Sequence, residues 1–135
     1  METKEIKHLI EAAQQIKPNS YSPYSGFRVG AAIEMNDGQV FTGVNIENVS
    51  FGATNCAERS AIFTAISEGY APKSIKAIAV SGDTDDYLPP CSICRQVLVE
   101  LCEADTPVYL TRKDGRILEV SVEELVPLAF STMDL

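Results

Sequence analysis

The sequence contains little histidine, few basic residues and no long hydrophobic run. His8 is the only histidine among 135 residues, and eleven Lys and Arg are scattered among nineteen Asp and Glu, which gives a formal charge of −8. A nucleic-acid surface needs clustered positive charge to displace counterions from phosphates. The charge therefore disfavours a polynucleotide or an anionic membrane as a partner and favours a small, neutral substrate.

Other absences bear on the location and organisation of the chain. No apolar stretch approaches the roughly 20 residues that are needed to cross a bilayer, and residues 1–6 are charged and lack the apolar core of a signal peptide. We therefore expect a cytoplasmic protein. No repeat, low-complexity tract or Pro/Gly/Ser linker divides the chain. A length of 135 residues is that of one ordinary domain, and we predict a single domain over residues 1–135.

The spacing of apolar residues predicts an α/β fold. It indicates helices over residues 4–17, 56–68, 91–102 and from Ser121 onward, and strands over 27–35, 39–46, 74–81, 107–111 and 116–120. Asp37-Gly38 and Asp114-Gly115 are typical of the tight turns in hairpins, which pair strands antiparallel at both ends of the chain. Strand–helix–strand crossovers between them favour parallel pairing. We predict a three-layer α/β/α sandwich with a mixed five-stranded sheet.

The four cysteines form the clearest chemical signal. Cys56 and Cys91 each begin a predicted helix, where free N–H groups and the helix dipole favour the thiolate form that binds metal. Cys94 lies one helical turn after Cys91, so both sulfurs can face one ion. Cys102 lies eight residues farther on, about 12 Å along the helix axis, whereas two thiolates on one zinc are about 4 Å apart. We therefore predict Cys56, Cys91 and Cys94 as zinc ligands, Cys102 as a buried apolar residue, and His8 as too distant to bind.

Three protein ligands leave one position of a tetrahedral zinc open, which is typical of catalytic zinc. Such a position holds a water molecule whose pKa the metal lowers towards neutrality. Glu58 lies two residues from Cys56 and is the candidate proton carrier; the alternative is an exposed carboxylate in the first helical turn. The charges of three thiolates and Zn²⁺ sum to −1. Arg59 is therefore expected to donate hydrogen bonds to a thiolate, with Gln96 orienting it, unless both are plain surface side chains.

These residues carry a family resemblance. Cys-Ala-Glu-Arg at 56–59, followed by Pro-Cys-x-x-Cys-Arg-Gln at 90–96, resembles the small cytidine deaminases. Tyr-Ser-Gly-Phe-Arg-Val-Gly-Ala-Ala at 24–32, Gly-Val-Asn-Ile-Glu-Asn at 43–48 and Glu-Glu-Leu-Val-Pro-Leu-Ala-Phe at 123–130 extend the resemblance over nearly the whole chain. It implies one zinc per chain, with Glu58 passing protons. The implied reaction is hydrolytic deamination of cytidine and deoxycytidine to uridine and deoxyuridine, with release of ammonia, in pyrimidine salvage.

The resemblance also implies a substrate-binding role for particular residues. Phe27 matches the aromatic residue that stacks on the pyrimidine, although a plain core role is the alternative. Asn45 and Glu47 match the pair that hydrogen-bonds the ribose hydroxyl. The N–H of Ala57 and the carbonyl of Ser92 match the groups that read the edge of the base.

The same resemblance implies a homotetramer. Phe130 matches an aromatic residue that reaches into the site of a neighbouring subunit. Two departures from the family pattern are Phe51, where relatives often carry tyrosine, and Ser92-Ile93 in place of the commoner Gly-Ala between the cysteines.

Three alternatives remain open at the level of sequence. A deaminase of the same fold could act on another aminopyrimidine nucleoside such as blasticidin S, although Phe27, Asn45 and Glu47 favour a nucleoside like cytidine. A polynucleotide editor conflicts with the charge of −8. A structural zinc or redox interaction module would show a fourth metal ligand or a disulfide between Cys91 and Cys94.

Overall fold

A computed structural model describes residues 1–132, which form a five-stranded sheet flanked by helices. Helices α1–α4 cover Thr3–Ile16, Ala57–Ser67, Ser92–Leu101 and Val122–Leu125, and strands β1–β5 cover Val29–Met35, Val40–Val44, Ile75–Gly82, Pro107–Thr111 and Ile117–Ser121. The predicted order of elements is confirmed. The last helix begins after Ser121, whose hydroxyl and backbone N–H form a capping box with Glu124, but it is only one turn long.

The sheet is mixed, as predicted, with the strand order β2-β1-β3-β4-β5. β1 is antiparallel to both β2 and β3, β3 is parallel to β4, and β4 is antiparallel to β5. The predicted parallel pair is therefore β3–β4, which α3 connects. The other crossover helix, α2, joins β2 to β3, and these two strands are not neighbours because β1 lies between them.

Alternate residues of the central strands form two hydrophobic layers. On one face, larger side chains such as Ile33, Ile78 and Val80 pack with residues of α2 and α3. On the other face, Ala32, Ala77 and Ala79 pack against α1 through Leu9, Ile10 and Ala13. Helices therefore cover both faces of the sheet, which confirms the three-layer sandwich.

The first turns of α2 lie directly on the backbone of β2. A Cβ atom at Gly43 would be 2.4 Å from the backbone N of Ala61 and 2.7 Å from the carbonyl oxygen of Ala57. Glycine at this position allows the close approach that fixes where α2 begins, and hence where Cys56 and Glu58 lie. Within the described part of the chain, no helix has the length and apolarity needed to cross a bilayer.

Candidate metal centre and active site

The N-terminal ends of α2 and α3 bring three cysteines together. Cys56 is the N-cap of α2, Cys91 is the N-cap of α3, and Cys94 is the third residue of α3. The Sγ atoms of Cys56 and Cys91 are 3.5 Å apart, and all three Sγ atoms lie within 4.8 Å of one another. Thiolates on a tetrahedral zinc are about 4 Å apart. The three sulfurs therefore fit one zinc ion, and across residues 1–132 they are the one such group of potential metal ligands.

The surroundings of the cluster favour thiolate formation. The pKa of Cys56 is lowered to about 5, because the Cys94 thiol hydrogen-bonds to it and Arg59 lies close by. The Arg59 guanidinium donates to the Cys56 Sγ over 3.5 Å. The shared hydrogen bond and burial raise the pKa of Cys94. The surroundings of Cys56 therefore favour the thiolate form that binds metal, and the guanidinium of Arg59 offsets its charge.

Cys102 lies apart from this cluster, as predicted. It is 1% exposed and packs in the hydrophobic core behind α3, and burial raises the pKa of its thiol to about 12. His8 is exposed on α1 and belongs to no group of potential metal ligands among residues 1–132.

Glu58 is buried beside the cysteines. It is the second residue of α2, and only 4% of it is exposed, so the alternative of an exposed carboxylate in the first turn is wrong. Burial raises the pKa of the Glu58 carboxyl, and the Cys56 thiolate raises it further. A buried carboxyl with a raised pKa next to the three cysteines is suited to carry a proton.

A cavity of about 200 Å³ adjoins the cluster. Its lining is mostly apolar, with a few polar groups, as is typical of small-molecule sites. The lining residues are Phe27, Val29, Asn45, Glu47, Thr54, Asn55, Cys56, Ala57, Glu58, Leu88, Pro89 and Cys91. The structure thus brings Phe27, Asn45, Glu47 and Ala57 to one space beside Glu58. Ser92 and Phe130 are not among the lining residues.

Asn45 and Glu47 hold the segment that carries Phe27. The Asn45 side chain accepts a hydrogen bond from the Val29 N–H over 2.9 Å and donates one to the Phe27 carbonyl over 2.8 Å. The Glu47 carboxylate accepts from the N–H groups of Tyr24 and Ser25 over 2.9 and 3.1 Å, and from the Ser25 hydroxyl. The hydrogen bond from the Ser25 hydroxyl is the main cause that lowers the pKa of Glu47. Sequence reasoning did not predict this internal network.

The structure shows a different partner for Gln96 from the one expected. Its Nε2 donates to the Phe130 carbonyl over 2.6 Å, and no hydrogen bond within the described chain joins Gln96 to Arg59. The Nε of Arg59 is buried without a hydrogen-bond partner. Gln96 therefore binds the backbone of the segment that carries Phe130. The Phe130 side chain itself is 55% exposed.

Arg95 is a positioning residue that sequence reasoning missed. Its Nε donates to the Pro90 carbonyl over 2.7 Å, and its Nη1 donates to the Leu125 carbonyl over 3.1 Å. The planar guanidinium thus joins the residue before Cys91 to the end of α4. The sequence feature that could have revealed this role is the position of Arg95 directly after Cys94 in the Cys-Arg-Gln motif.

The fold and the site together define a class of protein. A cluster of three thiols lies at two helix N-termini over a mixed sheet, with a buried carboxyl beside it and a cavity in front. This arrangement is typical of hydrolytic enzymes with an open zinc site.

Comparisons with known proteins identify the family within this class. Residues 3–111 match the family model described as the cytidine and deoxycytidylate deaminase zinc-binding region. The chain is 54% identical to the cytidine deaminase of Halalkalibacterium halodurans, over 94% of this chain and 95% of that protein. The chain belongs to the cytidine and deoxycytidylate deaminase family, and it is a zinc-dependent hydrolytic deaminase.

Solved structures agree with this assignment. The crystal structure of cytidine deaminase from Burkholderia pseudomallei superposes with a TM-score of 0.91 at 46% identity, covering 96% of this chain and all of that chain. Cytidine deaminase from Mycobacterium tuberculosis gives a TM-score of 0.81 at 34% identity, covering 95% of this chain and 98% of that one. The α/β/α architecture is therefore the one found in cytidine deaminase crystal structures.

Proposed function

We propose that this chain deaminates free cytidine and deoxycytidine by hydrolysis. Water adds to C4 of the base and ammonia leaves, which gives uridine or deoxyuridine. The observation that carries the proposal is the position of Glu58, buried between the three-cysteine cluster and a mostly apolar cavity. The likeness to cytidine deaminases over almost the whole chain supports the choice of substrate.

Cys56, Cys91 and Cys94 would hold the zinc in this proposal. Bound zinc supplies an activated water at near-neutral pH. Arg59 donates to the Cys56 sulfur and so draws negative charge from the thiolates. Arg95 holds the backbone just before Cys91 in place through the Pro90 carbonyl.

Glu58 is the proposed general base and general acid. Its carboxylate accepts a proton from the attacking water and delivers it to ring N3. It then takes the remaining proton from the hydroxyl group on C4 and passes it to the amine, which leaves as ammonia while the C4 carbonyl forms. Its burial at the cavity wall keeps bulk water away from these transfers.

The remaining proposed roles concern binding of the nucleoside. Phe27 stacks on the pyrimidine, and the Ala57 N–H and the Ser92 carbonyl read its edge. Asn45 and Glu47 bind the ribose with the hydrogen-bonding groups that their internal network leaves free. These are the second N–H of the Asn45 amide and the remaining acceptor site on the Glu47 Oε2. The internal hydrogen bonds fix both groups before the sugar arrives, which lowers the entropic cost of binding.

The proposal extends to assembly and location. We infer that residues 1–135 form one domain that assembles as a homotetramer, in which Phe130 reaches a neighbouring site. Apolar side chains between Glu47 and Thr54, two residues that line the cavity, are largely exposed in one chain and support this assembly, among them Val49 at 78% and Phe51 at 83%. The four cysteines within residues 1–132 form no disulfide bond, which suits the reducing cytoplasm. The proposed role in pyrimidine salvage would also place the enzyme there.

Replacing Glu58 by Gln tests the catalytic role. We expect Glu58→Gln to bind one zinc per chain and to lose deamination of cytidine by about 10²- to 10⁴-fold or more, because an amide cannot accept and return a proton. The loss is measured from the ultraviolet absorbance change on cytidine, and zinc is measured by elemental analysis of the same samples.

Glu68→Gln is the matched control, since Glu68 is exposed at the other end of the same helix. It should deaminate at the wild-type rate. Turnover by Glu58→Gln close to that of the wild type would refute the assignment. Faster turnover of blasticidin S than of cytidine or deoxycytidine by the wild-type protein would refute the proposed substrate.

A further inference from the structure

Gly82 ends β3, and Leu88, which lines the cavity, fills the space that a side chain at Gly82 would take. A Cβ atom at Gly82 would be 2.6 Å from the Cδ2 of Leu88 and 3.5 Å from the Cζ of Phe27. The first distance is too short for any real contact. The second is an ordinary van der Waals contact.

The lack of space for a side chain, rather than an unusual backbone conformation, explains why residue 82 is glycine. Gly82 pairs with Val29 across the β1–β3 ladder, and it is not one of the glycines with positive φ. Alanine can adopt this strand conformation without strain. The conflict is only with the tip of a leucine side chain, which can rotate, so Gly82→Ala is expected to fold.

The two residues that follow Gly82 are held by contacts with other parts of the chain. The Asp83 carboxylate lies 2.8 Å from the Lys17 ammonium and 3.3 Å from the Nε of Arg28. The Thr84 carbonyl accepts from the Lys113 N–H over 2.9 Å. With this segment fixed, an added methyl group at Gly82 is accommodated by rotation of Leu88. Because Leu88 and Phe27 both line the cavity, that cavity is open to the leucine tip when it rotates away from Gly82.

We propose that Gly82 is a positioning residue for the substrate pocket, which keeps the wall beside Phe27 open by leaving room for the tip of Leu88 against the backbone of β3. The inference rests on the proposed function, since it assigns this wall to the pyrimidine ring. Gly82 acts through Leu88 and touches no reacting atom. Its replacement therefore impairs binding of the nucleoside and leaves the chemical step intact.

Steady-state kinetics on cytidine test the proposal with Gly82→Ala, Leu88→Ala and the double variant. We expect Gly82→Ala to raise KM about tenfold or more, with kcat within about threefold of the wild type, because one misplaced methyl group in an apolar pocket has an effect of this size. In the Leu88→Ala background, adding Gly82→Ala is expected to change KM by less than about twofold, since the clashing leucine tip is gone. A wild-type KM for Gly82→Ala, or an equal KM increase in both backgrounds, would overturn the proposal.

A crystal structure of Gly82→Ala provides a readout that does not depend on turnover. The Leu88 side chain rotated into the cavity supports the proposal, and a Leu88 side chain that stays in place or turns to solvent refutes it. Failure of the proposed function would look different, because the wild-type protein itself would then release no ammonia from cytidine.

Discussion

Cys102 illustrates how one buried thiol links stability to pH. Burial raises the pKa of this thiol from 9.0 to about 12, so between these values the folded chain keeps a proton that the unfolded chain releases. Its contribution to stability is complete below about pH 9 and declines as the pH rises towards 12. The direction is opposite to that of an ion-paired carboxylate, whose contribution is lost as the pH falls.

Comparison with Cys102→Ala isolates this effect from other groups that titrate in alkali. We expect the free energy of unfolding of the wild type, relative to that of Cys102→Ala, to fall by about 1.4 kcal/mol between pH 8 and pH 10, as one pKa unit corresponds to that amount. Urea unfolding with saturating zinc and a thiol reductant measures it. A wild-type advantage that is equal at both pH values would contradict the burial of the thiol.

Local sequence spacing predicted part of the site, and tertiary contacts determined the rest. The grouping of Cys56, Cys91 and Cys94 was predictable because helix starts and the helical repeat are local properties of residues 56 and 91–94. The burial of Glu58 was not, since the first turn of a helix does not specify which neighbour covers it. The contact of Gly82 with Leu88 depends on the path of the connection after β3, which no local pattern encodes.

At the level of elements, the contact of α2 with β2 determines where half of the site lies. Gly43→Ala places a methyl group against backbone atoms of α2, 2.4 Å from the Ala61 nitrogen, and the backbone cannot rotate away as a side chain does. We expect the free energy of unfolding to fall by about 3 kcal/mol. Zinc content should fall with it, because Cys56 moves with the helix. Chemical denaturation and zinc analysis measure both effects.

Gly52→Ala is the matched control for this substitution. A Cβ atom there meets no atom within 4 Å, so its unfolding free energy should stay close to that of the wild type. If Gly43→Ala were as stable as Gly52→Ala and kept its zinc, the proposed dependence of Cys56 on the β2 contact would be wrong.

The order of the elements and both hairpins were predictable because each hairpin has a local Asp-Gly turn, with Gly38 and Gly115 at φ 93° and 90°. The place of β1 between β2 and β3 was not evident from the chain order. It follows from the antiparallel pairing of β1 with β3 over seven residue pairs, a long-range match that no local periodicity encodes.

At the level of the whole molecule, the exposed apolar residues near the cavity predict self-association. We expect light scattering to give about 59 kDa, which is four copies of the 14.7 kDa chain. Phe51→Glu should lower this mass, because a charge at a buried interface is costly and Phe51 is 83% exposed in the single chain.

Leu118→Glu provides the comparison, since Leu118 is 41% exposed on the edge strand β5. We expect this variant to keep the wild-type mass. A wild-type mass of one chain, or equal dissociation of both variants, would contradict an interface at Phe51.

The cysteines lie at the starts of two separate helices, so zinc binding is coupled to folding of the chain. In an extended chain Cys91 and Cys94 remain neighbours, whereas Cys56 is 35 residues away from Cys91, so only the folded chain offers three thiols at once. Zinc consequently binds the folded chain more tightly than the unfolded chain, and by mass action it shifts the population towards the folded form. We therefore expect the stability of the folded chain to depend on the zinc concentration as well as on its hydrophobic core.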